Sequence, residues 1–360
     1  MYKIFFIFIV LYFVMGCGQK ESTTDPIQKS APWELQKQIT WYNSQPWLVG
    51  CNYIPSTAVN QLEMWQKETF DPQTIDRELG WAEDIGFNIV RVYLHDLLWT
   101  FDSLSFVYRI DRFLSIADKH HIKVMFVLLD DCWNDNPKIG KQPEPVPGVH
   151  NSGWLQSPGI GVVADSTAWG PVERYVKGII ARFADDNRVL LWDLYNEPGN
   201  SGMVNKSLPL LKSVFLWARE VEHIQPVTVS VWQYNKKFSL LNKTAIENSD
   251  IISFHQYGNL EDVRKTVEDL KKYGRPLICS EYMARTRGSR FETHLPYFKR
   301  ERIGAINWGL VSGRTNTIFP WGSKKGTPEP KIWFHDIFRK DGTPFSQKEV
   351  ELIKSLNGVK

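Results

Sequence analysis

The sequence predicts a single (β/α)8 barrel with long loops after its third and eighth strands, on three observations. Short apolar runs bounded by turn signals recur eight times, the signature of strands buried on both faces. Stretches with helical spacing alternate with them, which points to crossover helices around a parallel sheet. No glycine-rich phosphate turn follows the first run, Cys51-Asn52-Tyr53-Ile54-Pro55, as it more often does in an open doubly wound sheet.

The chain opens with a targeting segment over residues 1–17. Lys3 is a minimal basic start, and Ile4 to Met15 is apolar but too short to span a bilayer as a mature helix. Val14-Met15-Gly16-Cys17 resembles a bacterial lipobox, so cleavage before Cys17 and lipidation of its thiol are expected. The protein would then be exported and lipid-anchored to a bacterial membrane, periplasmic or at the cell surface; a plain secretory signal or a membrane anchor is the alternative. Residues 18–38 read as a flexible tether, most polar from Gly18 to Pro32, and residues 39–360 as the barrel. Ile39-Thr40-Trp41 and Trp47-Leu48, on either side of Asn43-Ser44, suggest a short hairpin closing the barrel's bottom.

The expected strands are Leu48–Tyr53, Asn88–Leu94, Ile122–Leu129, Val189–Tyr195, Val227–Trp232, Ile251–Tyr257, Pro276–Ser280 and Gly304–Leu310. Helical spacing joins Ile75, Leu79, Ala82 and Ile85, then Ile110, Phe113, Leu114 and Ala117. The clearest stripe is Val172, Tyr175, Val176, Ile179, Ile180 and Phe183. Leu211, Val214, Phe215, Ala218 and Val221 form another, Leu260, Val263, Val267 and Leu270 the next, and a last helix is expected near Gln347–Leu356. Two connections are unusually long, Asp131 to Ala168 and Val311 to Pro344, and long loops in a compact domain are usually functional or disordered. They carry Trp133, Trp154, Trp321, Trp333 and His335, and would emerge on the C-terminal face as cleft walls.

Composition narrows the function. The 360 residues are 42% hydrophobic and 23% charged, as in soluble globular proteins, and 43 basic against 40 acidic residues leave +3. That balance gives no reason to expect nucleic acid as a partner. The 15 Trp, 13 Tyr and 20 Phe imply a large core or a surface that stacks on rings, as sugar-binding clefts do. Cys51, Cys132 and Cys279 lie among apolar residues and read as small buried hydrophobes, not a disulfide framework. No CxxC or HExxH pattern offers a metal site, no cofactor is called for, and a monomer is expected.

Two glutamates end two of the apolar runs: Glu197 follows Asn196 after the fourth, and Glu281 follows the seventh. A carboxylate at the C-terminal tip of a barrel strand lies where such barrels keep their chemistry. Two suggest a general acid and a nucleophile, the pair that cleaves a glycosidic bond at a separation of roughly 5–5.5 Å. Glu197 is the better acid, because apolar and aromatic neighbours raise a carboxyl pKa, while Arg91 and Tyr257 could hold Glu281 ionised. Asn196 could bind the sugar 2-hydroxyl, and Trp133, Trp154, Trp232 and Trp321 are candidate cleft residues.

Arg91, Asn196-Glu197-Pro198, His255, Tyr257, Glu281 and Trp308 fall in order on the tips of strands two, four, six, seven and eight. In this the chain resembles the clan A glycoside hydrolases, most closely the family 5 cellulases and mannanases, over residues 47–320. The resemblance implies a retaining hydrolase of β-linked polysaccharide or oligosaccharide. In it Glu197 is the acid/base, Glu281 the nucleophile, Arg91 its partner, Asn196 the 2-hydroxyl ligand, His255 and Tyr257 the active-site His and Tyr, and Trp308 the stacking platform. On strand three, where many family 5 members carry a His, this chain has Asp130-Asp131-Cys132-Trp133-Asn134, which looks more like the mannanase branch and slightly favours β-mannan over β-glucan or xylan. The competing readings are a non-catalytic glycan-binding lipoprotein on a degenerate barrel, and a metal-dependent hydrolase using His95, Asp96, Asp130 and Asp131.

The N-terminal reading has a direct test. Cys17→Ala should release soluble protein or leave it unprocessed, while the barrel still folds and works. Membrane fractionation and intact mass would show this, and unchanged attachment and processing would count against lipidation.

Overall fold

A computed structural model describes residues 1–2 and 31–359. Cys17, nearly all of the expected signal segment and residues 18–30 of the expected tether lie outside these residues. Eight strands form: β1 (Val49–Asn52), β2 (Ile89–Tyr93), β3 (Lys123–Asp130), β4 (Val189–Asn196), β5 (Val227–Thr228), β6 (Ile252–His255), β7 (Leu277–Glu281) and β8 (Gly304–Trp308). They make one sheet in the order β5-β4-β3-β2-β1-β8-β7-β6, and every ladder is parallel. The seam between β5 and β6 is closed beyond the end of β5, where Val231 N–H donates to Ser253 O at 3.0 Å and His255 N–H to Val231 O at 2.8 Å. The result is the expected (β/α)8 barrel, with helices covering the sheet's outer face.

The expected stripes lie on helices Pro72–Asp84, Asp96–Lys119, Gly170–Arg182, Leu208–Arg219, Leu260–Lys271 and Gln347–Asn357. Helices Ser239–Asn248 and Phe291–Arg300 supply the crossovers that periodicity did not mark. At the N-terminal end the expected hairpin is instead a helix, Leu35–Ser44, which starts inside the segment read as tether. Gln38 and Tyr42, one turn apart, are its buried residues, and Asn43-Ser44 ends the helix instead of reversing a strand. Tyr42 plugs the barrel bottom, its hydroxyl 3.1 Å from Leu277 O and 2.9 Å from Arg302 O. Among the described residues, no helix is long and apolar enough to cross a membrane.

The barrel interior changes character along its axis. At the bottom Leu48, Ile89, Met125, Leu191, Ile251, Ile278 and Ile306 pack with Tyr42. Higher up, hydroxyls take over: Thr228 to Ser253 at 2.6 Å, Ser253 to Ser230 at 2.8 Å and Ser230 to Ser280 at 2.7 Å. Above them begins the polar mouth. The two long loops are ordered and joined there, by Asn151 N–H to Thr315 O at 2.7 Å and Gly326 N–H to Pro147 O at 2.8 Å. The loop after β1 is tied to both, through Arg314 N–H to Ser56 O at 3.1 Å and Asn60 Nδ2 to Gly153 O at 2.9 Å.

β1 and β2 approach closely at Gly50, where an added Cβ would lie 1.7 Å from Ile89 O, whereas Gly161 has open space. Gly50→Ala should therefore cost about 3 kcal/mol or more, since backbone and not a pliant side chain must move. Thermal unfolding should show a large loss for this variant and little change for Gly161→Ala.

Candidate active site

A fully buried guanidinium must have its N–H groups satisfied, and Arg91 on β2 gathers the partners that do so. Nε and Nη2 donate to Asp193 Oδ2 at 2.9 and 2.7 Å. Nη1 donates to Asn52 Oδ1 at 2.8 Å, Tyr93 OH at 2.5 Å and Glu281 Oε1 at 2.7 Å, and Nη2 also to Asn196 Oδ1 at 2.8 Å. One side chain thus ties β1, β2, β4 and β7 together at the mouth.

Glu281, the last residue of β7, has each oxygen engaged. Oε1 accepts from Arg91 and from Tyr93 OH at 2.8 Å, and Oε2 from Tyr257 OH at 2.7 Å. Glu197 follows β4 with a left-handed backbone, φ 45°, a costly geometry for a non-glycine residue that turns its carboxylate into the mouth. Its Oε2 accepts from Asn200 Nδ2 at 2.5 Å and Cys132 Sγ at 3.3 Å, while Oε1 faces His255 Nδ1 at 2.9 Å. Burial raises the Glu197 pKa, partly offset by the Cys132 and Asn200 hydrogen bonds and by Arg91.

His255 stands between the two carboxylates, its Nδ1 also 3.4 Å from Glu281 Oε2. Burial drives its pKa down to about 3, so the ring is neutral. The nitrogen facing two carboxylates must carry the proton, which leaves Nε2 without a partner among the described residues. Glu197, His255 and Glu281 bring donor atoms within 4.8 Å of one another. A protonated Nδ1 has no lone pair to offer a cation there.

Asp130, at the tip of β3, fixes the Asn196 amide, accepting from its Nδ2 at 2.8 Å, so that Oδ1 must face Arg91. The other Asp130 oxygen accepts from Trp154 Nε1 at 2.7 Å. Asp131 points away and holds the turn behind Glu197, through Tyr195 OH, Gly199 N–H and Ser207 Oγ, each at 2.6 Å. His95 caps the helix that begins at Asp96 and lies 3.1 Å from the Asp96 carboxylate, which accepts from Ser157 Oγ, so this pair, Asp130 and Asp131 each have their own partners.

Trp308 is partly exposed, Trp133 stands at the rim with 46% exposure, and Trp232 is anchored by Nε1 to Pro198 O at 3.2 Å. Trp154 is buried in the wall, not displayed as a platform. These residues, with His150, Tyr234, Tyr257, Trp321 and His335, line a cavity of about 610 Å³ around the two glutamates. Periodicity could have found Tyr93, which shares a strand face with Arg91 two residues before it. Cys132, Asn200 and Asp193 join the site by contacts that no spacing announces.

Residues 56–313 match the family model described as cellulase (glycosyl hydrolase family 5). Among solved structures, a GH5_18 protein from Streptomyces cattleya in complex with Manβ1-4GlcNAc has a TM-score of 0.59 at 11% identity, covering 86% of this chain and 80% of that one. The endo-β-1,4-mannanase from Thermotoga petrophila has a TM-score of 0.58 at 14% identity, covering 88% and 77%. The endo-1,4-β-mannanase from Rhizomucor miehei has 0.57 at 13% identity, covering 88% and 95%. At such identities these likenesses establish the shared fold. No curated protein matches the sequence. The family match makes this barrel, with its carboxylates at the C-terminal mouth, an O-glycosyl hydrolase. The chain belongs to glycosyl hydrolase family 5.

Proposed function

We propose that the enzyme is a retaining β-glycosidase that works by double displacement, with Glu197 as acid/base and Glu281 as nucleophile. The observation that carries this is that Glu197 and Glu281 bring carboxylate oxygens within 4.8 Å of each other, in keeping with the roughly 5–5.5 Å separation of retaining enzymes and short of the roughly 6.5–9.5 Å of inverting ones. Glu197, its pKa raised by burial, gives its proton to the leaving oxygen as Glu281 attacks the anomeric carbon. Glu197 then takes a proton from the water that releases the sugar. As Glu281 passes its charge to the ester and Glu197 becomes anionic, the neutral His255 Nδ1–H stays within reach of whichever carboxylate is charged. Asn196, held by Asp130, is placed for the 2-hydroxyl, and Trp308 for the sugar face.

The substrate is a β-linked polysaccharide or oligosaccharide, with β-mannan favoured. Support comes from the Asp130-Asp131-Cys132-Trp133-Asn134 segment and from the mannose-containing ligand and mannanase activity of proteins with this fold. We place the enzyme at a bacterial membrane through lipid on Cys17, on the strength of the Gly16-Cys17 motif.

Glu281→Gln should abolish turnover. Glu197→Ala should slow it about 10²–10⁴-fold, with partial rescue by azide. NMR of the first product should show the retained anomer; an inverted one would sink the mechanism. Cleavage of gluco- or xylo-oligosaccharides with manno-oligosaccharides inert would refute the mannan preference alone.

The pH profile gives a separate test. Activity that needs protonated Glu197 is lost as pH rises through its pKa. Asn200 donates to the charged form and lowers that pKa. Asn200→Ala should therefore move the alkaline limb of kcat/KM to higher pH. A limb that stays put or moves down would remove Glu197 from the acid role.

A further inference from the structure

The two halves of the mouth are built differently. In the mechanism proposed above, the leaving group lies on the side of Glu197, and the sugar that bonds to Glu281 lies across from it. Glu197 stands at β4, so any further sugars on the retained side must leave the mouth over β8, β1 and β2.

That side is filled. Tyr93, Trp154 and Trp308 pack edge to face, with centroids 4.9 Å apart for Tyr93–Trp154, 5.5 Å for Trp154–Trp308 and 5.8 Å for Tyr93–Trp308. Tyr93 is pinned to Glu281 and Trp154 to Asp130. The gap between this trio and Asn52, Tyr53 and Ile54 holds about 10 Å³, scarcely one water and far less than a sugar. Above it the loops after β1, β3 and β8 are joined by the hydrogen bonds described above. No residue from the tips of β1 or β2 lines the large cavity, whereas Trp232, Gln233, Tyr234, Gln256 and Asp262 open it on the β5 and β6 side.

The cavity also presents two histidines, one from each long loop, packed beside Trp321 and Tyr257. His150 Nδ1 donates to Phe319 O at 2.7 Å, and His335 Nδ1 donates to Met283 O. Each Nδ1 therefore holds the proton and each Nε2 a lone pair. Neither Nε2 has a hydrogen-bond partner among the described residues, and both rings line the cavity, with centroids 5.3 Å apart. Burial keeps both neutral, pushing His150 down to about 4.

We propose that this enzyme removes single sugars from the non-reducing end of its substrate, and that His150 and His335 accept hydrogen bonds from hydroxyls of that terminal sugar. Each turnover adds one water across one glycosidic bond, releasing a monosaccharide and a chain one sugar shorter. The proposal rests on the glycosidase reading, and the two can fail separately.

The test uses the whole enzyme on β-1,4-linked manno-, gluco- and xylo-pentasaccharides reduced at the reducing end, with products followed from the earliest times. Monosaccharide with a four-sugar alditol is the expected first product pair. Release of a disaccharide or longer fragment first would overturn the proposal and leave the glycosidase reading standing. Labelling with 2-deoxy-2-fluoro glycosides of the same sugars should mark Glu281 by peptide mass spectrometry. Absence of both label and hydrolysis on every sugar would overturn the reading beneath the proposal, and the proposal with it. His150→Phe with a native circular dichroism spectrum should lower kcat/KM on aryl monoglycosides about tenfold, mainly through KM. Unchanged kcat/KM would overturn the hydroxyl assignment. Should that variant not fold, His150→Leu, which also removes the acceptor, makes the same comparison, and unchanged kcat/KM is again the overturning result.

Discussion

A buried guanidinium is the constraint on which the mouth of this barrel depends. Arg91 has no exposed surface, and a cation taken that far from water survives only with its hydrogen bonds met and its charge balanced. Asp193 and Glu281 balance it, while Asn52, Tyr93 and Asn196 complete the fork. Such pairs often add little net stability over a well-packed apolar alternative. What they impose is direction: Asn196 cannot turn without stranding a donor on Arg91, and Glu281 cannot turn without taking one of its two counter-charges away.

The contrast between the two carboxylates follows from that arrangement. Glu281 sits among donors from Arg91, Tyr93 and Tyr257, whereas Glu197 relies on an amide, a thiol and a neutral imidazole. The same depth of burial therefore acts on unlike surroundings, which suits two identical side chains to the unlike tasks proposed for them. The apolar floor of Leu48, Ile89, Ile278 and Ile306 keeps water from entering beneath them.

Much of this was legible in the sequence because a parallel strand buried on both faces reads as a short, mostly apolar run, and all eight strands stood out in that way. The convergence of Arg91, Asn196, Glu197, His255, Tyr257 and Glu281 followed from their places at strand tips. The misses have physical causes. Phe291–Arg300 contains Pro296 and buries His294 beside aromatic rings, so its core face does not look apolar. Leu35–Ser44 buries only Gln38 and Tyr42, too narrow a stripe to separate from a hairpin. β5 has a ladder of only two residues, because the chain beyond it diverges from β4 toward β6. Asp130, Cys132 and Asn200 act from a strand tip and from turns, where no period tells which way a side chain points.

The plug at the barrel's bottom also separates the chain's entry from the mouth. Tyr42 enters the barrel at the N-terminal ends of its strands, where it meets the backbone of Leu277 and Arg302, and Trp33 N–H meets Asp250 just before the sixth strand. The mouth is at the other end. The point where Trp33 meets the barrel therefore lies at the opposite end of the strands from the mouth. Under the anchoring proposed at Cys17, the attachment would reach the barrel from its base, and substrate would enter from the opposite side.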